Sequence, residues 1–346
     1  MNSENQYSDP YESYEALFDP LQVDRQARRK RRPKVKHKPK KTQDELISDA
    51  ADIIGVEGGL EISYRPSKHE AIWLLDSLRP FFDQELINDV QALVKGGKEA
   101  SVYRCAAHPA TGQKWLAAKV YRPRMFRNLR NDQMYRRGRP TLTANGVPAK
   151  ATDTRLMRAL GKKTAFGQQA AHTSWLMHEY TALDLLHQAG AAVPRPFASG
   201  ENAILMSYIG DEYGSAPALN EIKLDEDEVA TLLQKVLNNI MLMLRYGRIH
   251  GDLSAYNILY WQGDITLIDF PQIANSHVSR ATHSVGSAVN PDAAFILERD
   301  ITRVCEYFSG QGAICDAEAI FTELWQRYVE DDTQQRLADA SIWLEE

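Results

Sequence analysis

Cysteine is scarce in this chain. The 346 residues contain three, Cys105, Cys305 and Cys315, with no C-x-x-C pair among them. An odd count without paired spacing argues against a disulfide framework and against a zinc site, and suits a reducing cytoplasm. No apolar run reaches the roughly 18 residues that a membrane-crossing helix needs, so no membrane partner is expected. The opening Met1-Asn2-Ser3-Glu4-Asn5-Gln6 is polar and acidic and does not resemble a secretory signal. Acids are missing from residues 25–41, which hold eleven Lys and Arg, while residues 1–24 hold six acids and no base.

The net charge of −5 therefore conceals an asymmetry. The first 41 residues sum to +5, which leaves −10 on the remainder. An acidic body on a basic leash points to residues 25–41 as the part with affinity for nucleic acid, or else to a solvated tail that aids solubility. Residues 1–42 have no apolar periodicity and are expected to be disordered. Hydrophobic residues make up 43 % of the chain, with six tryptophans, enough for a sizeable core. The length suits one two-lobed domain or two small ones.

After a short helix expected over residues 44–54, the apolar positions Ile72, Leu75, Leu78, Phe81, Phe82, Leu86, Ile87 and Val90 predict one or two amphipathic helices around Pro80. Two strand-like pieces then flank the turn Gly96-Gly97-Lys98-Glu99, where close backbone approach and Lys98 could hold phosphate charge. By itself this turn reads more readily as a plain hairpin than as a nucleotide loop. Trp115-Leu116-Ala117-Ala118-Lys119-Val120-Tyr121 is a strand with one lysine in an apolar row. A buried ammonium requires an anionic partner, and Glu179, in the helical stretch from Trp175 to Leu186, is the best candidate. Residues 122–163, with twelve bases against Asp132 and Asp153, could clamp RNA or substrate phosphates or simply be a solvated insertion. A strand over residues 203–210 would end in a hinge able to bind an adenine edge. Helices are expected over residues 226–245, around Phe295–Phe308, and around Ile320–Tyr328.

The most specific stretch is Ile249-His250-Gly251-Asp252-Leu253-Ser254-Ala255-Tyr256-Asn257, followed by Leu267-Ile268-Asp269-Phe270. The spacing H-x-D-x-x-x-x-N with a later apolar-apolar-D is that of a kinase catalytic loop and metal turn. Asp252 suits a proton acceptor for an attacking hydroxyl. Asn257 and Asp269 offer hard oxygens to Mg²⁺, or to Mn²⁺ in its place.

With these residues in place, the chain resembles the RIO family of atypical serine/threonine protein kinases, most like the branch without an N-terminal winged helix. The resemblance covers residues from about 70 to 310. It rests on Gly97 to Tyr103, the Lys119 strand, Val193-Pro194-Arg195-Pro196, Met206 to Gly210, Ala216-Pro217-Ala218-Leu219, the 250–257 loop, Asp269 and Glu298 to Thr302. It implies an α+β, two-lobed, kinase-like fold, with no room after Asp269 for the peptide-binding subdomain of ordinary protein kinases. The implied layout is an N-terminal tail over residues 1–42, a helical extension over 43–92, an N-lobe over 93–210 with a basic insertion from 122 to about 170, and a C-lobe over 211–346.

Carried over by position, Asp252 would be catalytic, Lys119 the phosphate lysine and Glu179 its partner. Lys98, Ser101 and Val102 would border the phosphates, Met206 and Ile209 would lie near the adenine, and Asn257 and Asp269 would bind metal. The resemblance implies an enzyme using ATP and Mg²⁺, phosphorylating itself or acting as an ATPase near ribosomal or other RNA. Departures are Asp269-Phe270-Pro271-Gln272, which is more like the winged-helix branch, a longer insertion after Lys119, and Asn290-Pro291 where the family has His-Pro. Two other readings share the motifs: a small-molecule kinase of the aminoglycoside or choline type, and a nucleotide-gated scaffold that binds RNA.

Overall fold

The computed structural model describes residues 60–331, apart from residues 61, 67, 98–99, 122–138, 151 and 280–286. The chain divides into two compact units. The first, Met1–Gly55, lies outside the described residues, together with the basic segment 25–41 and the helix expected over 44–54. Everything below concerns the second, Val56–Glu346.

Helix α1 (Lys68–Asp83) comes first. Leu74, Leu78 and Phe81 recur at helical spacing and are fully buried. Pro80 lies inside the helix near its C-terminal end, where it has no N–H to donate to the preceding turn. The sequence expectation of helix up to Val90 is corrected here. Glu85 adopts a left-handed conformation (φ 55°), the Leu86 N–H donates to the Phe81 carbonyl at 2.9 Å, and the chain leaves the helix extended. Ile87 and Val90 are apolar because they face a sheet, not because they continue the helix.

That sheet has five strands: β1 (Ile87–Gly96), β2 (Ala100–Ala107), β3 (Trp115–Tyr121), β4 (Pro196–Ser199) and β5 (Ala203–Ser207). Their order is β1-β2-β3-β5-β4, antiparallel throughout. One face packs on α1 through Ile87, Val90, Tyr103, Cys105, Leu116, Ala118, Val120, Ala203 and Leu205. The other meets helix α3 (Ala165–Gln188) through Tyr121 and Ile204 against Trp175, Leu176 and Met177. Successive side chains on a strand point to opposite faces, so Lys119 shares the α3 side with Tyr121.

Helix α2 (Thr154–Gly161) precedes α3. The two approach so closely that a Cβ on Gly167 would fall 2.0 Å from the Ala159 carbonyl oxygen.

The larger core follows. Helix α4 (Glu226–Arg245) buries Val229, Leu232, Leu233, Val236, Ile240, Met243 and Leu244, an i, i+3, i+4, i+7 stripe, and opens with three acids where the helix dipole favours negative charge. Short strands then pair antiparallel: β6 (Arg248–Ile249) with β9 (Ala274–Asn275), and β7 (Ile258–Trp261) with β8 (Asp264–Leu267). Strands β10 (His277–Ser279) and β11 (Ser287–Val289) form a further pair. Helix α5 (Ala293–Gly310) and helix α6 (Ala317–Trp325) close this part.

The fold is α+β and kinase-like. One sequence expectation fails at its end. Cys305, inside α5, and Cys315, just after it, form a disulfide with Cα atoms 5.2 Å apart. The chain turns back at Gly310-Gln311-Gly312 and brings the two together, which spacing alone did not reveal. Cys105 is a free, buried thiol that burial pushes up. Among the described residues no helix is long and apolar enough to cross a membrane.

Candidate active site

Strand β3 carries Lys119 into the space beneath α3. Its ammonium lies 2.5 Å from Glu179 Oε1 and 2.6 Å from Asp269 Oδ1. Glu179 is buried, and the Tyr121 hydroxyl donates to its second oxygen. Tyr121 is itself fixed by a T-shaped contact with Trp175, ring centroids 4.8 Å apart. Burial alone would pull the Lys119 ammonium down, but Asp269 and Glu179 outweigh it and hold Lys119 charged, well above its ordinary value. Burial and the neighbouring Glu179 push the Tyr121 phenol up, so it stays a donor. Asp269 feels the reverse balance. Burial would raise it, and Lys119 holds it below the usual carboxylate value. Its side chain is 43 % exposed, so that ion pair opens to solvent on one side, whereas Glu179 is enclosed.

The two loops that carry Asp252, Asn257 and Asp269 are stitched together. Strand pairs β6–β9 and β7–β8 bracket them. The Ile268 N–H donates to the Asn257 carbonyl at 2.9 Å. His250 Nε2 lies 3.1 Å from the Ile268 carbonyl, and its Nδ1 lies 3.3 Å from the Asp252 N–H. These bonds define one neutral tautomer: Nε2–H donates and Nδ1 accepts. Burial, which lowers His250 to about 4, keeps it neutral.

Gly251 is required by geometry. It sits at φ 86°, and a Cβ there would lie 2.2 Å from the Gln272 carbonyl oxygen. Asp269 also adopts a left-handed backbone (φ 71°), a conformation Asp tolerates better than most residues and one that concentrates at functional turns.

The Asp252 carboxylate is held from two sides. Arg303 of α5 donates to Oδ1 at 2.9 Å. The Asn257 side-chain amide donates to the Asp252 carbonyl at 2.8 Å and to Oδ2 at 3.3 Å. Burial raises the Asp252 carboxyl, with Arg303 opposing. The buried Asp300 accepts the Gly251 N–H at 2.7 Å, and Arg299 donates to the Gly251 carbonyl, so α5 grips the loop at both peptide groups of one residue.

Metal chemistry fits this donor set. Because the Asn257 NH₂ faces Asp252, its Oδ1 is turned away. It and the Asp269 carboxylate are hard oxygens of the kind Mg²⁺ shares with phosphates.

The remaining sequence candidates are placed as follows. Val102 pairs with Lys119 across β2–β3, and buried Ser101 pairs with Val120. Lys98 lies outside the described residues. Gly97 closes the β1–β2 turn by donating to the Ala100 carbonyl at 2.9 Å. Lys95, at the end of β1, adds positive potential at Asp269. Met206 packs against both the α3 cluster and the larger core, and the Ile209 carbonyl accepts the Ala216 N–H at 2.9 Å. The structure thus gathers Lys119, Glu179 and Asp269 in one contact network, and Asp252 and Asn257 in a second. The two are joined through His250 and the stitched loops.

A family profile described as RIO domain matches residues 147–320, half of the chain. The chain belongs to the RIO family. The RIO match takes in Glu179, the 250–257 loop, Asp269 and α5, and begins after Lys119.

Three relatives are similar. The RIO-type serine/threonine-protein kinase Rio1 of Haloferax volcanii is 30 % identical over 149 residues, 43 % of this chain and 46 % of the relative. Rio1 of Thermoplasma acidophilum is 32 % identical over 146 residues, 42 % of this chain and 69 % of the relative. The serine/threonine-protein kinase RIO1 of Chaetomium thermophilum is 24 % identical over 242 residues, 66 % of this chain and 41 % of the relative. The chain thus spans less than half the length of two of these three.

Within the RIO domain, sequence reasoning missed the grips from α5. Glu298-Arg299-Asp300 carried family resemblance but no role, and Arg303 went unmarked. The available signal was Asp300, a carboxylate on the buried stripe of α5 beside Leu297 and Ile301, which had to be satisfied by something.

Proposed function

We propose that this chain is a serine/threonine kinase that uses Mg-ATP. The observation that supports this best is the Lys119 ammonium bridging Glu179 and Asp269, while the loop bearing Asp252 and Asn257 is hydrogen-bonded to the turn bearing Asp269. In this reading Lys119, steered by Glu179, holds phosphate oxygens of ATP. Val102 and Ser101 border them with Lys98, and Met206 and Ile209 border the adenine. Asn257 and Asp269 hold Mg²⁺, which neutralises phosphate charge when bound.

Asp252 orients the attacking hydroxyl and takes its proton. A bond forms from the hydroxyl oxygen to the γ-phosphorus, the bond from that phosphorus to the bridging oxygen breaks, and ADP leaves with the electron pair. Charge neutralisation and positioning supply the rate. Self-phosphorylation, net ATP hydrolysis and contact with RNA or a ribosomal particle through residues 25–41 and 122–163 belong to the same proposal. The RNA part is supported by the bases counted in those segments.

Purified protein incubated with γ-labelled ATP and no added substrate tests the proposal through the fate of the label. Label on the protein supports a kinase, and free labelled phosphate supports an ATPase. Neither product, with transfer seen only on adding a small hydroxylated acceptor, would favour the aminoglycoside type and overturn the reading. In Asp252→Ala, a folded protein without transfer is expected.

A further inference from the structure

The loop that carries the proposed catalytic aspartate has no positive charge of its own. Leu253, Ser254, Ala255 and Tyr256 fill the interval from Asp252 to Asn257. In space the charge comes from elsewhere. Arg303, in the third turn of α5 and fifty-one positions along the chain, places Nη1 2.9 Å from Asp252 Oδ1.

Arg299, one turn earlier, is spent differently. It donates to the Gly251 carbonyl and lies 3.3 Å from Asp300 Oδ1, so it braces the backbone, and its charge also acts on Asp252 alongside that of Arg303. The helix beneath Arg303 is rigid: Asp300, Ile301, Val304 and Cys305 are buried around it, and Cys305 is bonded to Cys315. Arg303 itself is about three-quarters covered (side chain 24 % exposed), and Asp252 presents 41 % of its side chain to the open side. A cation on a fixed helix, charge-paired to one oxygen of an aspartate whose other oxygen faces Asn257, sets the rotation of that carboxylate.

We propose that Arg303 is a positioning residue for phosphoryl transfer, holding the Asp252 carboxylate in its working orientation and supplying beside it the positive charge that the 253–256 segment lacks. This rests on the kinase reading above. A brace of this kind acts on the chemical step. Its contact with Asp252 puts the expected loss in the rate of transfer more than in nucleotide affinity.

The test compares wild type, Arg303→Lys, Arg303→Ala and Asp252→Ala by saturating rate and KM for ATP, with nucleotide affinity and thermal melting measured in parallel. Arg303→Ala is expected to lower kcat about 100-fold, the size typical of losing one preorganised electrostatic group, with KM and ATP affinity within about twofold. Arg303→Lys should retain an intermediate rate. Added guanidinium should restore part of the rate to Arg303→Ala and none to Asp252→Ala.

An unchanged kcat overturns the inference while leaving the kinase reading intact. So does a fall in rate that tracks lost melting temperature or lost ATP affinity without guanidinium rescue, which would make Arg303 a purely structural tie. A folded wild type that transfers nothing from ATP sinks both.

Discussion

Replacing Lys119 by methionine keeps the length of the side chain and removes its charge. Glu179 would then keep a carboxylate only 4 % exposed with the Tyr121 hydroxyl as partner and no cation. Removing one member of a buried ion pair costs about 3–5 kcal/mol, because the remaining charge has lost both water and partner. Asp269 contributes much less to that loss. Its side chain is 43 % exposed, and a solvent-screened pair is worth about 1 kcal/mol or below. Lys119→Met should therefore lose about 3–5 kcal/mol in urea unfolding followed by tryptophan fluorescence. Asp269→Asn should lose about 1 kcal/mol or less. The double variant Lys119→Met with Glu179→Gln keeps an acceptor for Tyr121 and buries no charge, so it should be more stable than Lys119→Met alone. A Lys119→Met protein within about 1 kcal/mol of wild type, or strictly additive losses in the double variant, would refute the reasoning.

His250 gives a pH signature. Its folded-state value of about 4 lies below the ordinary 6.5, so the native state binds fewer protons. The stability it contributes is complete above pH 6.5 and is lost as pH falls toward 4. At about 1.4 kcal/mol per pH unit this amounts to roughly 3 kcal/mol, and His250→Gln should show a shallower fall across that window in urea titrations. Gly251→Ala should disable phosphate transfer and destabilise by more than the roughly 1–2 kcal/mol of a left-handed alanine, since its Cβ would collide with the Gln272 carbonyl; a thermal melt and a transfer assay read both. Alkylation of the unfolded, non-reduced protein should label Cys105 alone, and all three cysteines after reduction; three labels without reductant would contradict the Cys305–Cys315 bond.

Much of this layout is written locally. The apolar stripe from Val229 to Leu244 matches α4, and the apolar row from Trp115 to Tyr121 matches β3. A lone lysine in a buried strand had to meet an anion, and the best candidate was Glu179 in the helical stretch from Trp175 to Leu186. Where period and length were ambiguous the reading failed: Ile87 and Val90 continue the apolar spacing of α1, and only the left-handed Glu85 shows where the helix stops. Contacts without a local signature were invisible. Nothing near Arg303 announces Asp252, and the Cys305–Cys315 bond depends on a turn of the chain rather than on a motif. Asp269 stood out in the sequence as a candidate metal ligand, but its contact with Lys119 in the same network as Glu179 had no local signal.

A shared nucleotide and metal site is tested most directly by calorimetric titration of ATP into wild type, Asn257→Ala and Asp269→Ala, each with and without Mg²⁺. Wild type should bind ATP more tightly when Mg²⁺ is present, and both variants should lose that gain while remaining folded. A gain of equal size in all three proteins would contradict a metal held by Asn257 and Asp269, and so would its absence from wild type.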